Sequence, residues 1–155
     1  MPVVIDPDHI FYILFDISKL NRAEFERRIA GAGLDLTPAE ARVLGSLLRR
    51  GPLRQHEIAR RLDIGKMNLT KIIDRLEARG LVARSEAPDD RRAKIVTLTD
   101  AADPTLQTIA RITSEIRQAG RGALSAEEWE SFHRLARTTR ENLAALAQQT
   151  QGERE

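Results

Sequence analysis

Apolar residues recur every three or four positions along most of this chain, which is the spacing of helices that bury one face. The spacing predicts helices over about 8–31, 37–50, 54–62, 66–79, 100–120 and 125–149. Two β-prone runs, 81–84 and 94–98, interrupt it, and Pro88-Asp89-Asp90 between them predicts a turn. The chain is therefore predicted to be mainly α, with one small β-hairpin.

Several predicted helix ends carry recognisable caps. Thr37-Pro38-Ala39-Glu40 and Ser125-Ala126-Glu127-Glu128 both match a capping box, in which a hydroxyl and a carboxylate satisfy backbone N–H groups reciprocally. Arg54 opens the third helix, where Ser or Thr would be the expected cap. Pro104 leaves two alternatives open for the fifth helix: either Asp103 is its N-cap, or its first turn is distorted.

Residues 36–99 contain a short helix, a turn, a longer helix and a hairpin, which is the order of a winged helix-turn-helix DNA-binding domain. We predict dimerisation helices on both sides, in residues 1–35 and 100–150, and a disordered tail at 151–155. The flanking helices hold more apolar area than helices projecting from a small domain would leave in water. Beyond the first helix, these apolar residues are Leu106, Ile109, Ile112, Ile116, Trp129, Phe132, Leu135, Leu143 and Leu146.

Composition limits the classes of protein to which the chain can belong. Its 155 residues, 41% hydrophobic and 31% charged, are typical of a folded, helix-rich domain. The absence of cysteine excludes disulfides, thiol redox sensing and thiolate metal sites. No window is apolar enough to cross a membrane, and no basic, cleavable leader is evident, so we expect a cytoplasmic protein.

The net charge of +2 is distributed unevenly. Residues 49–94 hold 13 Lys and Arg against 7 Asp and Glu, a surplus of six positive charges, while the remainder has a deficit of four. The positive surplus coincides with the predicted DNA-binding domain, as a polyanionic partner would require.

The fourth predicted helix has one apolar and one polar face. Leu69, Ile72, Ile73 and Leu76 form a buried stripe, and the first two turns of the outward face contain no acid before Asp74. Asparagine can bond adenine, lysine can donate to guanine and threonine can contact thymine, whereas an arginine further along would meet phosphate. We therefore favour DNA binding over a merely solvated face. The candidate residues are Lys66, Asn68, Thr70, Lys71 and Arg75.

The predicted hairpin carries Asp89-Asp90-Arg91-Arg92 at its tip. An arginine projected from a thin hairpin can enter the minor groove, where the negative potential attracts it. A nearby carboxylate could hold its guanidinium in a forked pair. Asp90, Arg91 and Arg92 complete the predicted DNA-binding residues.

The segments LTPAEARVL, HEIARRL, LTKIIDRLEARGLV and DDRRAKIVTLT resemble the MarR family of bacterial transcription regulators, and the likeness extends over essentially the whole chain. It implies a homodimeric regulator, with Arg92 in the minor groove and Asp90 as its partner. Three positions depart from the family pattern: Ala41 replaces a frequent aromatic, Met67 replaces a frequent proline, and Ala101-Ala102-Asp103-Pro104 replaces the glycine after Leu-Thr.

The resemblance also implies a small aromatic or anionic effector, or a CoA thioester, that releases a repressor from a pseudo-palindromic operator. Phe11, Phe15, Ala41 and Arg42 are the candidate ligand residues. We rank the alternative higher, that the aromatics are dimer core and Arg42 is a surface residue, because an aromatic stripe at helical spacing usually serves packing.

Two other functions stay open as alternatives. A metal- or stress-responsive regulator is disfavoured by the lack of cysteine and by three scattered histidines, His9, His56 and His133. A helical ligand-binding adaptor that reuses the fold would show no DNA preference. No nucleophile elbow, phosphate loop or zinc-protease motif is present, so neither an enzyme, a cofactor nor a metal site is predicted.

Overall fold

The computed structural model describes residue 6 and residues 8–152, except for the side chains of Arg91 and residues 150–152. The helices are α1 (Ile10–Gly31), α2 (Pro38–Arg50), α3 (Gln55–Leu62), α4 (Lys66–Ala78), α5 (Asp103–Arg121) and α6 (Ala126–Gly152). The strands are β1 (Leu53–Arg54), β2 (Val82–Ala87) and β3 (Asp90–Leu98). The prediction of a mainly helical chain with a small hairpin is confirmed.

The three strands form one antiparallel sheet in the order β1-β3-β2. The sequence pattern did not predict β1, because a strand of two residues shows no alternation. It pairs Leu53 with Val96 and Arg54 with Ile95, so the start of α3 is fixed to the hairpin. The hairpin strands are also longer than predicted and leave only Pro88 and Asp89 between them.

The chain divides into two compact units, Met1–Ile116 and Arg117–Glu155. In the first unit, the inward faces of the helices and the hairpin build one core, to which α5 contributes as far as Ile116. The predicted stripe of α4 lies in this core, with each of its four residues at most 1% exposed. Apolar packing thus holds α4 from Leu69 to Leu76.

Of the two alternatives at Pro104, an N-cap at Asp103 is wrong, because Asp103 has helical dihedral angles and is the first residue of α5. A single turn of 3-10 helix, Asp100–Ala102, precedes α5, and Pro104 is the second residue of α5. A proline costs nothing there, because the first N–H groups of a helix have no partner within it. At the C-terminus, α6 continues to Gly152, which lies inside the tail predicted to be disordered at 151–155. Residues 153–155 lie outside the described residues.

No helix among the described residues has the length and apolar character needed to cross a membrane.

Candidate nucleic-acid interface

The outward face of α4 presents polar side chains near the helix N-terminus. Lys66, Asn68 and Lys71 are exposed, and their side chains form no hydrogen bond or ion pair with another described residue. Lys71 follows Asn68 by three residues, so these two side chains share one face of the helix. Three of the predicted DNA-binding residues are therefore available to an external partner.

The N-terminus of α4 is itself electropositive. Gly65 is its N-cap and has no side chain to accept a hydrogen bond from the first turn. The first turn also contains no acidic residue. Unpaired backbone N–H groups at a helix start favour anions, and Lys66 adds a positive charge at the same place.

Thr70 is used inside the protein. Its hydroxyl donates to the carbonyl of Lys66 at 3.0 Å and accepts from Gln55 Nε2 at 2.8 Å. The second of these bonds joins α4 to α3 and fixes the angle between the two helices locally. The sequence places Thr70 among the base-reading residues, but in this structure its hydroxyl is engaged by the fold.

Arg75 is paired with a buried carboxylate. Its Nε donates to Glu40 Oε1 at 2.6 Å, while the other carboxylate oxygen accepts the Thr37 N–H at 2.7 Å. The Glu40 side chain is 5% exposed and that of Arg75 is 53% exposed. Burial alone would raise the pKa of Glu40, but the hydrogen bonds from Arg75 and Thr37 outweigh it, so the pKa lies below 4.5. Arg75 therefore ties α4 to the start of α2, and a phosphate could reach only its exposed part.

Arg84 on β2 holds α4 from the other side. Its guanidinium lies 2.7 Å from Asp74 Oδ1, and its Nε donates to Glu77 Oε2 at 3.0 Å. The pKa of Glu77 is lowered by this hydrogen bond. The two acidic residues of α4 thus share one arginine, which compensates one of their two negative charges, so they oppose an approaching polyanion less than their number suggests.

The hairpin of β2 and β3, which we call the wing, carries Arg92 in an irregular part of β3. The pairing with β2 moves from Glu86↔Lys94 to Ala87↔Asp90, so residues 91–93 have no partner on β2 and form a bulge. Arg92 is exposed there. The side chain of Arg91, another predicted DNA-binding residue, lies outside the described residues.

Asp90 has a different contact from the one expected. Its Oδ1 accepts the backbone N–H of Arg92 at 2.9 Å, and among the described side chains no ion pair joins Asp90 to the Arg92 guanidinium. The forked pair predicted between the two side chains is therefore absent in this structure. Asp90 instead shapes the backbone, because a carboxylate that accepts an N–H two residues on stabilises a turn.

Arg54 anchors the wing tip and was not predicted as a functional residue. Its guanidinium donates to Asp89 in the turn of the hairpin, and this contact lowers the pKa of the Asp89 carboxyl. Its backbone N–H donates to Glu57 Oε2 at 3.0 Å, which is the carboxylate half of a capping box at the start of α3. The only signal for this role in the sequence was an arginine at the N-cap position of α3, where Ser or Thr is expected. Its side chain does not cap the helix and can therefore bind elsewhere.

The start of α4, the wing and α3 together border a cleft of about 290 Å³. Its basic lining residues are Lys66, Arg92 and Lys94, of which the sequence did not single out Lys94. The tertiary structure therefore brings the N-terminus of α4 and the wing arginine to the same concave surface. Lys66 and Arg92 outweigh the charge of Asp90 there, while Lys94 is paired with Glu86 at 3.4 Å. The complete lining is Gln55, His56, Ala59, Lys66, Leu69, Asp90, Arg92, Ala93 and Lys94.

The four candidate ligand residues have very different exposures. Phe11 and Phe15 are 49% and 67% exposed on α1, whereas Ala41 is fully buried in the core. Arg42 donates to the carbonyl of Leu62 at 2.6 Å, at the end of α3. A ligand would therefore reach Ala41 only if neighbouring side chains moved.

A family model described as MarR family matches residues 34–93. The HTH-type transcriptional repressor MdtR of Bacillus subtilis is 36% identical over 91 residues, which are 59% of this chain and 54% of MdtR. The matched part thus spans about half the length of that relative.

Two solved structures match over most of the chain. BpsR of Bordetella bronchiseptica, described in terms of the regulation of its DNA binding by 6-hydroxynicotinic acid, is 25% identical with a TM-score of 0.66. The match covers 89% of this chain and 97% of BpsR. A probable transcriptional regulator from Pseudomonas aeruginosa is 30% identical with a TM-score of 0.61, over 85% of this chain and 97% of the other.

Proposed function

This chain belongs to the MarR family of transcriptional regulators, whose members are not enzymes, and we propose that it binds operator DNA as a homodimer and represses transcription in the cytoplasm. The observation that carries the proposal is the cleft in which the start of α4 and the wing converge with Lys66, Arg92 and Lys94. A concave surface with this charge suits the phosphate-lined edge of a duplex.

The proposed docking places α4 in the major groove and the wing over the adjacent minor groove. Asn68 and Lys71 are exposed near the helix N-terminus, which is the part of a recognition helix that contacts base edges. Lys66 and the N-terminus of α4 contact phosphate, and Arg92 enters the minor groove. Thr70 and Arg75 act mainly by holding α4 at the right angle.

The proposed homodimer uses α1 and α6, because the apolar residues of α5 that were predicted for the dimer surface lie in the core instead. On α1, apolar side chains such as Phe15 and Leu20 are 67% and 69% exposed, and on α6 Leu135 and Leu146 are 55% and 58% exposed. Exposed apolar side chains at this density on two helices favour burial against a second copy. A two-fold dimer would present two α4 helices to the two halves of a pseudo-palindromic site.

We further propose that a small anionic aromatic molecule relieves repression, with Phe11, Phe15, Ala41 and Arg42 as the ligand residues. The description of BpsR, whose DNA binding is regulated by 6-hydroxynicotinic acid, supports an effector of this chemical class.

For the metal-responsive alternative, no group of three or more His, Asp or Glu side chains among the described residues could hold an ion.

Selection of bound sequences from random duplex DNA tests the DNA-binding proposal directly. We expect enrichment of a site with two inverted half-sites, and binding to it that weakens steeply with salt. Each phosphate contact contributes about −0.9 to the slope of log affinity against log salt concentration. Recovery of no preferred sequence would contradict the proposal and support the adaptor alternative.

A further inference from the structure

Met67 is the most exposed large apolar side chain of the described structure, at 78%. The other exposed large apolar residues lie on α1 or between residues 124 and 146, apart from Leu48 on α2. Met67 thus lies on neither of the helices that carry the apolar surfaces of the proposed dimer. Its exposure calls for an explanation of its own.

The position of Met67 places it on the DNA-facing side of α4. It is the second residue of the helix, flanked in sequence by the exposed Lys66 and Asn68 and followed by Lys71 one turn later. The apolar stripe of α4 begins at Leu69, which is fully buried, and Met67 is absent from the core. The side chain is therefore outside the core packing, and its exposed neighbours along the helix are lysines and an asparagine.

An apolar side chain amid lysines fits few partners. A protein partner would need a larger apolar patch, and phosphate offers nothing to a thioether. In the major groove, however, the C5-methyl of thymine is the one apolar group that a base pair presents to a recognition helix. A long, flexible and unbranched side chain such as Met can adjust to that methyl.

We infer that Met67 reads the C5-methyl group of a thymine in each operator half-site. The inference rests on the proposed DNA binding and adds a base preference to it. Lys66 and Lys71 supply charge and Asn68 supplies hydrogen bonds, while Met67 supplies the only apolar contact among these four neighbouring exposed side chains of α4. The half-site must therefore contain a thymine opposite the first turn of α4.

The experiment replaces thymines by deoxyuridine, which removes only the methyl group. An operator selected with the wild-type protein is synthesised with each half-site thymine replaced in turn, symmetrically in both halves. We expect one position at which the wild-type protein loses about fourfold affinity for each methyl removed. Met67→Gln, a polar side chain of similar length, should bind the thymine and deoxyuridine duplexes equally, whereas Met67→Leu should keep the discrimination.

The controls separate this inference from the proposed function. Leu48→Ala removes the exposed apolar side chain of α2 and should leave the discrimination between thymine and deoxyuridine unchanged. The salt dependence should be the same for wild type and Met67→Gln, because no charge is altered. If no sequence is selected, the proposed function fails. If a site is selected but no thymine methyl is coupled to residue 67, only the role of Met67 is overturned.

Discussion

At the level of single residues, the wing arginine makes a sharp prediction. Arg92 lies in the bulge of β3 and is exposed, and its guanidinium takes part in no ion pair with a described residue. Arg92→Ala should therefore leave the thermal stability nearly unchanged and lower operator affinity about tenfold. Fluorescence anisotropy with a labelled operator measures the loss, and thermal melting followed by circular dichroism checks the fold.

The conservative variant Arg92→Lys distinguishes the groove from the phosphate backbone. Lysine keeps the positive charge but loses the planar guanidinium that suits a narrow minor groove. We expect Arg92→Lys to keep the salt dependence of the wild type and to bind with an affinity between wild type and Arg92→Ala. Equal affinity of all three proteins would refute the placement of Arg92 in the minor groove.

The side chain of Asn68 is exposed and has no hydrogen-bond partner among the described residues. An asparagine that bonds adenine through both of its amide atoms discriminates against other bases by about 1–3 kcal/mol. Asn68→Ala should therefore relax the preference at one base pair of each half-site, with affinity for the other positions unaltered. Repeating the sequence selection with this variant measures the change, and an unaltered consensus would argue against base reading by Asn68.

At the level of elements, one carboxylate holds two helices together. Glu40 accepts hydrogen bonds from Thr37 at the start of α2 and from Arg75 on α4, and it is almost completely buried. Glu40→Ala should lower the free energy of unfolding by about 1–3 kcal/mol, because it leaves the partly buried Thr37 N–H and Arg75 Nε without their acceptor and removes the carboxylate half of the capping box. Denaturant unfolding measures the loss.

The chain offers a matched control in a second capping box. Ser125 and Glu128 form the same reciprocal hydrogen bonds at the start of α6, at 3.1 and 2.8 Å, but Glu128 is exposed and forms no ion pair with a described residue. Glu128→Ala should cost about 1 kcal/mol or less. The difference between the two variants isolates the contribution of Arg75 and of burial, and similar losses would show that Glu40 is only a cap.

The Glu40 pair also predicts a pH dependence. The pKa of Glu40 is lower in the folded protein than its ordinary value of 4.5, so the folded state binds fewer protons and the carboxylate stabilises it above that value. As the pH falls through the folded pKa, this contribution is lost. The difference in melting temperature between wild type and Glu40→Gln should therefore be largest at neutral pH and decrease below pH ~4.

At the level of the whole molecule, DNA binding should depend on association of two copies. Leu135→Asp places a charge among the exposed apolar side chains of α6, and we expect it to give monomers and to lower operator affinity at least tenfold, since one half-site alone binds weakly. Sedimentation velocity measures the mass. Ala144→Asp adds the same charge two and a half helical turns away, on the opposite side of α6, and serves as the control. A monomeric wild type would contradict the dimer proposal.

The prediction of elements from sequence was most successful where one physical cause dominated. The stripe of α4 was predicted residue by residue, because a helix packed on one face must repeat its apolar positions every three or four residues. The capping boxes at Thr37 and Ser125 were predicted for a similar reason, since their donors and acceptors lie within four residues. The two-residue strand β1 was missed, because its partner on β3 lies some forty residues further along the chain.

The sequence by itself determined the order of helices and hairpin, the concentration of positive charge in residues 49–94 and the identity of the exposed polar residues on α4. All of these depend on local spacing or composition. The tertiary structure alone decided that Thr70 and Arg75 serve the fold, that Asp90 bonds the backbone of Arg92 instead of its side chain, and that Arg54 secures the wing tip. These roles depend on which distant side chain arrives within about 3 Å, and a hydrogen bond is too short-ranged for helical spacing to specify its partner.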